Sequence, residues 1–252
     1  MSVRVIVVAL LALLAGAAPV RAAEVRVLSA GAMKAMVTEL GQGFQKETGH
    51  TLAITADTGG GLRKRVEGGE QADVVVAPDA AMDALVKSNH ALAATRADLA
   101  RTAIGVAVKQ GAPQPDISTV DAFKRALLEA GSIVYNDPAI GATSGIHFAS
   151  VLERLGIAEA VKPKTVLWKG GYAAEALVNG RAELCVHQIS EILPVKGVTL
   201  VGPLPVEINK VTTYAGALLA SSPTPDAGRA FLAYLARPEF RPKFAAAGLD
   251  YK

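Results

Sequence analysis

Two small-residue turns, Leu28-Ser29-Ala30-Gly31 and Thr58-Gly59-Gly60-Gly61, each stand between a β-type run and an amphipathic helical run. The first N–H groups of a helix lack intrahelical acceptors and carry partial positive charge, and glycine lets a guest approach the backbone closely. Gly31, Ala32, Thr58, Gly59 and Gly60 are therefore candidates to hold one anionic group between two turns. Arg63 follows on the first turn of the second helix, where its planar fork suits a carboxylate that the helix end also attracts. Redox and metal chemistry have little to work with. Cys185 is the only cysteine, in an apolar run where a buried inert thiol is expected, and no disulfide can form within the chain. The four histidines lack the paired spacing of a metal site, and neither a metal nor a cofactor is expected.

Ahead of the first turn, Arg4, the apolar run from Val5 to Ala18, and Val20-Arg21-Ala22 have the form of an export signal, with residues 1–22 removed. The run is shorter than the ~20 residues that cross a bilayer, and no cysteine follows to carry a lipid, so a soluble periplasmic protein is expected. Removing Arg4 and Arg21 leaves 24 basic against 23 acidic residues, a net charge of +1 that gives no reason to expect nucleic acid as a partner.

The elements that must position these turns follow from periodicity. Strand-like runs at 24–28, 51–55 and 73–77 alternate with helical patterns carrying Met33, Met36, Val37, Leu40 and Phe44, then Leu62 and Val66, then Met82, Leu85 and Val86. The same grammar resumes with strands at 104–108, 132–135, 165–168 and 184–187 and helices beginning near Ser118, Ser144 and Tyr172. A last strand at 212–219 precedes Thr224 as N-cap, Pro225 at the first helical position, and a helix through Phe231 and Leu235 that Pro238 ends. Such alternation predicts an α/β protein with mainly parallel sheets flanked by helices on both faces.

The opening strand with its small-residue turn, then Phe44-Gln45-Lys46-Glu47-Thr48-Gly49, Ala72-Asp73-Val74-Val75-Val76-Ala77, Asn136-Asp137-Pro138 and Ala176-Leu177-Val178-Asn179-Gly180, follow one another in family order along the chain. On them the chain resembles the molybdate-binding proteins among type II periplasmic solute-binding proteins. The resemblance implies a two-lobed α/β fold with the ligand cleft between lobes: lobe one from 24–103 plus 211–252, lobe two from 104–210. It also implies a monomer that captures a small anionic solute for an ABC-type membrane permease.

The resemblance further maps the ligand positions of molybdate binders, two serines, a small residue, a backbone contact and a tyrosine, onto Ala32, Gly59, Ser144, Gly171 and Gln188. Three side-chain donors have changed. Thr143, Lys169, His147 and Gln188 fall near the lobe-two positions, and basic and amide character has increased. This balance points to a small polycarboxylate rather than to molybdate. Three functions follow: first, and favoured by the resemblance, a solute receptor for a transporter; second, an isomerase of an unsaturated tricarboxylate resembling periplasmic aconitate isomerases; third, a sensory or scavenging binding module with no transporter. In the second, His147 is the best base by type and position, and Glu191, three residues after Gln188, is the weaker choice.

Overall fold

The computed structural model describes residues 22–250; the expected export signal, apart from Ala22, lies outside them. The chain opens with β1 (Glu24–Ala30), α1 (Gly31–Thr48), β2 (Thr51–Asp57), α2 (Gly59–Glu67), β3 (Val74–Pro78), α3 (Asp79–Lys87) and β4 (Ala97–Thr102). It continues with β5 (Ile104–Lys109), α4 (Val120–Glu129), β6 (Ile133–Asn136), α5 (Thr143–Arg154), α6 (Ala158–Val161), β7 (Thr165–Trp168), α7 (Glu175–Val178), β8 (Leu184–Gln188), α8 (Ile189–Ile192) and β9 (Val198–Pro203). It closes with β10 (Thr212–Leu218), α9 (Pro225–Leu235) and α10 (Arg241–Ala246).

These elements build two five-stranded sheets, ordered β2-β1-β3-β10-β4 and β7-β6-β8-β5-β9. Both are mixed, with parallel pairs in each and helices flanking them, as the two-lobed α/β fold requires. In the first, β10 runs antiparallel to both β3 and β4, and in the second β5 runs antiparallel to both β8 and β9. The physical reason is the connectivity. The chain passes from one sheet to the other through Ala103 and returns between β9 and β10, so the strands beside these passages do not belong to right-handed βαβ crossovers. The strands β4 and β9 went unforeseen because they are sheet edges with interrupted apolar alternation.

The first core packs the α1 face of Met33, Met36, Val37, Leu40 and Phe44 against the β1–β3 runs. Phe44 meets Phe231 of α9 edge-on with ring centroids 5.1 Å apart. Gly49 ends α1 in the left-handed conformation at φ 75°, a position that disfavours any side chain. In the second sheet's core Phe148 of α5 packs edge-on to Tyr135 of β6, centroids 4.9 Å apart.

Asp73, fully buried before β3, ties the first lobe together. Its carboxylate accepts from the Arg26 N–H at 2.8 Å, the Ser222 hydroxyl at 2.5 Å, and both the N–H and the hydroxyl of Thr224 at 2.8 Å. Burial pushes its pKa up, but these hydrogen bonds outweigh that and hold it below the usual carboxylate range. Thr224 thus occupies the expected N-cap of α9 while its hydroxyl serves Asp73 rather than the helix.

The lobes touch across the cleft. Thr58 donates its hydroxyl to the Ile140 carbonyl at 2.6 Å, and the Gly60 N–H donates to the Gly141 carbonyl at 3.1 Å. A Cβ on Gly60 would lie 2.8 Å from the Gly141 Cα, so the seam closes only because both residues are glycine.

Candidate functional site

Between the two sheets lies a cavity of about 410 Å³ lined from both sides. Three helix N-termini open onto it: Ala30-Gly31-Ala32 at α1, Thr58-Gly59 at α2, and Ala142-Thr143-Ser144 at α5. No side chain caps α1 or α5. Their first N–H groups and their dipoles are thus directed at a guest, which favours negative charge. At α2 the Thr58 hydroxyl accepts from the Gly61 N–H at 3.0 Å while donating to Ile140, so its capacity is spent on cap and seam.

Of the residues expected from sequence, Gly31, Ala32, Thr58, Gly59, Thr143, Ser144, Gly171 and Gln188 line this cavity, and Lys169 stands at its rim. Three depart from expectation. Gly60 is not among the lining residues because its N–H is used at the lobe seam. Arg63 pairs with Glu67 one helical turn on, at 2.9 Å, and lines a neighbouring groove with Lys210 instead. His147 also lies outside the cavity. Its Nε2 bonds the Ile208 carbonyl at 2.8 Å, and burial pushes its pKa down. It packs against the segment that returns to β10 and cannot reach a guest held by the three helix ends.

What occupies the floor is a group that sequence reasoning ranked second or missed. Glu191 of α8 is 8% exposed and projects to the start of α1, where a Cβ on Gly31 would lie 2.5 Å from its Oε1. Glycine at that turn therefore makes room for a carboxyl from the opposite lobe. Burial pushes the Glu191 pKa up to about 8. One turn before it, His187 is fully buried at the end of β8, its Nε2 3.6 Å from Glu191 Oε1 and its Nδ1 3.1 Å from the Ser144 hydroxyl. Burial holds His187 neutral, its pKa down to about 4.

Gln188 donates from Nε2 to the Tyr214 hydroxyl at 3.0 Å, joining β8 to β10 beneath the cavity. Tyr172 and Lys34 face each other across the mouth, the ammonium 5.9 Å from the ring centroid. The oxygens Asn136 Oδ1 and Gln188 Oε1, both on lining residues, are buried without a hydrogen-bond partner among the described residues. Orphaned polar atoms at a closed cleft mark where a polar guest completes the network. No cluster of His, Cys, Asp and Glu suited to a metal ion occurs among the described residues.

Two α/β lobes, twin mixed sheets and a cleft floored by helix N-termini define a two-lobed solute-binding protein. The profile of the bacterial extracellular solute-binding protein family matches residues 25–250, and the chain belongs to that family. It is 35% identical to an aconitate isomerase of a Pseudomonas species over 96% of this chain and 94% of that protein. It is 26% identical to the molybdate-binding protein ModA of Escherichia coli K12 over 91% of this chain and 90% of that one. Among solved structures, the Azotobacter vinelandii periplasmic molybdate-binding protein superposes with a TM-score of 0.75 at 19% identity, covering 89% of this chain and 98% of that one. The sulfate-binding protein SubI of Mycobacterium tuberculosis does so with a TM-score of 0.69 at 17% identity, covering 91% and 87%. Among the described residues no helix is long and apolar enough to cross a membrane.

Proposed function

We propose that the protein binds a small unsaturated polycarboxylate outside the cytoplasm and moves a proton within it, as an aconitate isomerase does. The observation that carries this reading is Glu191, a buried carboxyl with a raised pKa inside a cleft otherwise built for anions. Protonated, Glu191 lets an anionic solute enter the cleft, and once ionised it is a stronger base than an ordinary carboxylate, which is what removal of a carbon-bound proton requires. The cavity volume falls within the range of about 300–1,000 Å³ typical of organic ligands. It suits a six-carbon acid better than a tetrahedral oxyanion.

In the proposed reaction the helix N-termini of α1, α2 and α5 hold the carboxylates, with Lys34 and Lys169 drawing the polyanion in at the mouth. Glu191 takes a proton from the methylene carbon between a carboxylate and the double bond. The C–H pair passes into the allylic system and onto the adjoining carboxylate, where the backbone N–H groups stabilise the added charge. Glu191 then returns the proton to the other end of the allyl unit, and the double bond has moved by one position. No redox partner is needed.

The second reading is a receptor that captures such a polycarboxylate for an ABC-type permease, and it draws on the family's solute-binding character. Incubation with trans-aconitate in deuterated water, followed by NMR, separates the two. The isomerase reading expects deuterium incorporation and cis-aconitate, with Glu191→Gln slowing exchange by about 10² to 10⁴ while still binding substrate. Binding by calorimetry with neither cis-aconitate nor deuterium incorporation at high protein concentration overturns catalysis and leaves the receptor.

A further inference from the structure

Glu191 presents a conflict that its own position does not resolve. A base must be ionised, yet burial favours its protonated form, and a bound polycarboxylate adds negative charge beside it. The neighbouring groups deepen the conflict. Tyr214 on β10, Tyr172 in the loop after β7 and Cys185 on β8 have their pKa values raised by burial first and by the Glu191 charge second, and a phenol or thiol supplies no positive charge to balance a carboxylate. Glu175 and Asp57 at the cavity wall are further acids, and Lys34 and Lys169 lie exposed at the mouth. Behind Glu191 there is one group able to take up its proton.

That group is His187. Among the described residues its buried Nε2 has no hydrogen-bond partner of good geometry and lies 3.6 Å from Glu191 Oε1; the Gly171 backbone faces the ring and favours its protonated form, and Nδ1 is engaged by the Ser144 hydroxyl at 3.1 Å. A movement of under an ångström brings Oε1 and Nε2 to the ~2.7–2.9 Å of a charge-assisted hydrogen bond. Ser144 is itself the second residue of α5, held at the cleft by the close packing of Gly145 on β6. The chain Ser144–His187–Glu191 therefore runs from a ligand-facing helix end of lobe two to the carboxyl that meets lobe one.

Building on the isomerase reading, we propose that His187 is a positioning residue that shares one proton with Glu191, the proton residing on Oε1 in the empty cleft and on Nε2 when substrate is bound. Moving it leaves the pair's net charge at zero in both forms. The polyanion thus meets no uncompensated negative charge, and Glu191 is nonetheless available as a carboxylate. When Glu191 takes the carbon-bound proton, the O–H bond forms as the C–H bond breaks. His187 remains an imidazolium, and its positive charge balances the electron pair gained by the substrate. Ser144 Oγ accepts the Nδ1–H in this state, its hydroxyl proton being free to rotate.

The experiment is NMR on the full protein with ¹³C-labelled glutamate side chains and ¹⁵N-labelled histidine, titrated in pH with and without tricarballylate, a saturated tricarboxylate that cannot isomerise. The proposal expects the Glu191 carboxyl carbon and the His187 ring nitrogens to respond at one shared midpoint. Saturation with tricarballylate should shift Nε2 toward the imidazolium value, and Glu191→Gln should remove that response. Ring nitrogens unmoved while Glu191 titrates, or moved identically in Glu191→Gln, overturn it.

Ser144→Ala gives an independent reading that does not depend on tolerance of a change at the fully buried His187. It should alter the Nδ1 resonance and lower kcat for trans-aconitate exchange by roughly tenfold. Unchanged kcat alongside an unchanged Nδ1 signal counts against the chain. Wild-type protein that shows the shared titration but no exchange defeats the isomerase reading and leaves the proton pair intact. Exchange without a shared titration does the reverse.

Discussion

Replacing Gly60 by alanine tests the lobe seam in isolation from the ligand, because Gly60 is not among the residues lining the cavity. The new Cβ would stand 2.8 Å from the Gly141 Cα and 3.3 Å from its carbonyl oxygen. Carbon atoms pack at about 3.5–4.0 Å, so the lobes must part by roughly 0.7 Å or more at this point. The bond from Gly60 N to Gly141 O, now 3.1 Å, is stretched first, and the neighbouring 2.6 Å bond from Thr58 to Ile140 with it. At about 0.5–1.5 kcal/mol each, their loss disfavours the closed form by roughly 1–3 kcal/mol, or about 5- to 150-fold in affinity for a ligand that requires closure. Within its own lobe the change is mild. Gly60 is the second residue of α2 and is not among the glycines with positive φ, so alanine there trims unfolded-state entropy and adds about 0.4–1 kcal/mol to folding stability. The expected signature is therefore opposed: an apo melting temperature equal to or above wild type, with a larger apo radius of gyration by solution scattering and weaker aconitate binding by calorimetry. A variant with wild-type scattering and wild-type affinity would refute the role assigned to the seam.

Two further outcomes rest on buried carboxyls of opposite character. Because the folded protein holds Glu191 near pKa 8, well above an unfolded glutamate at about 4.3, the proton-bound folded state loses stability as pH rises through that window. At 1.36 kcal/mol per unit this amounts to on the order of 3 kcal/mol between pH 5 and 8, so Glu191→Gln should gain stability over wild type progressively across that range in urea titrations; parallel curves would disprove it. Asp73 has the reverse sign: its lowered pKa gives stability that is complete above the ordinary carboxylate range and is lost as pH falls through the folded value. Asp73→Ala should cost roughly 3 kcal/mol at neutral pH by leaving buried donors from Arg26, Ser222 and Thr224 unmatched, measured by denaturant unfolding, and a cost below about 1 kcal/mol would contradict the tie it makes.

The turns at Gly31 and Gly59 were legible because they are local: a strand pattern, a glycine and a helical stripe lie within a few residues of one another. The floor of the site was not, because it is made by contacts across the lobes. Glu191 sits on a four-residue helix with no periodicity to reveal its inward face, and its burial depends on the absence of a side chain at Gly31, far away in sequence. Tyr214 looked like one more apolar residue of a strand, and only the pairing of β10 between β3 and β4 brings it beneath Gln188. His147 misled by its nearness to Ser144. One helical turn is enough to carry a side chain from the ligand face of α5 to the face that meets Ile208. For Arg63 the contrary signal was present, since Glu67 four residues on is a ready partner on a helix surface.

The double passage between the sheets also orders events in time. When the chain has emerged only as far as β9, every strand of the second sheet is present, whereas β4 of the first has no neighbour, since β10 is the strand that bridges it to β3. The second sheet can therefore condense from a continuous stretch of chain, and the first must wait for residues more than a hundred positions after β4. An inserted half that stays loose acts as a long loop between β4 and β10 and raises the entropy cost of closing the first sheet. Damage confined to the first sheet thus leaves the second able to condense alone, so a fault does not spread equally in the two directions.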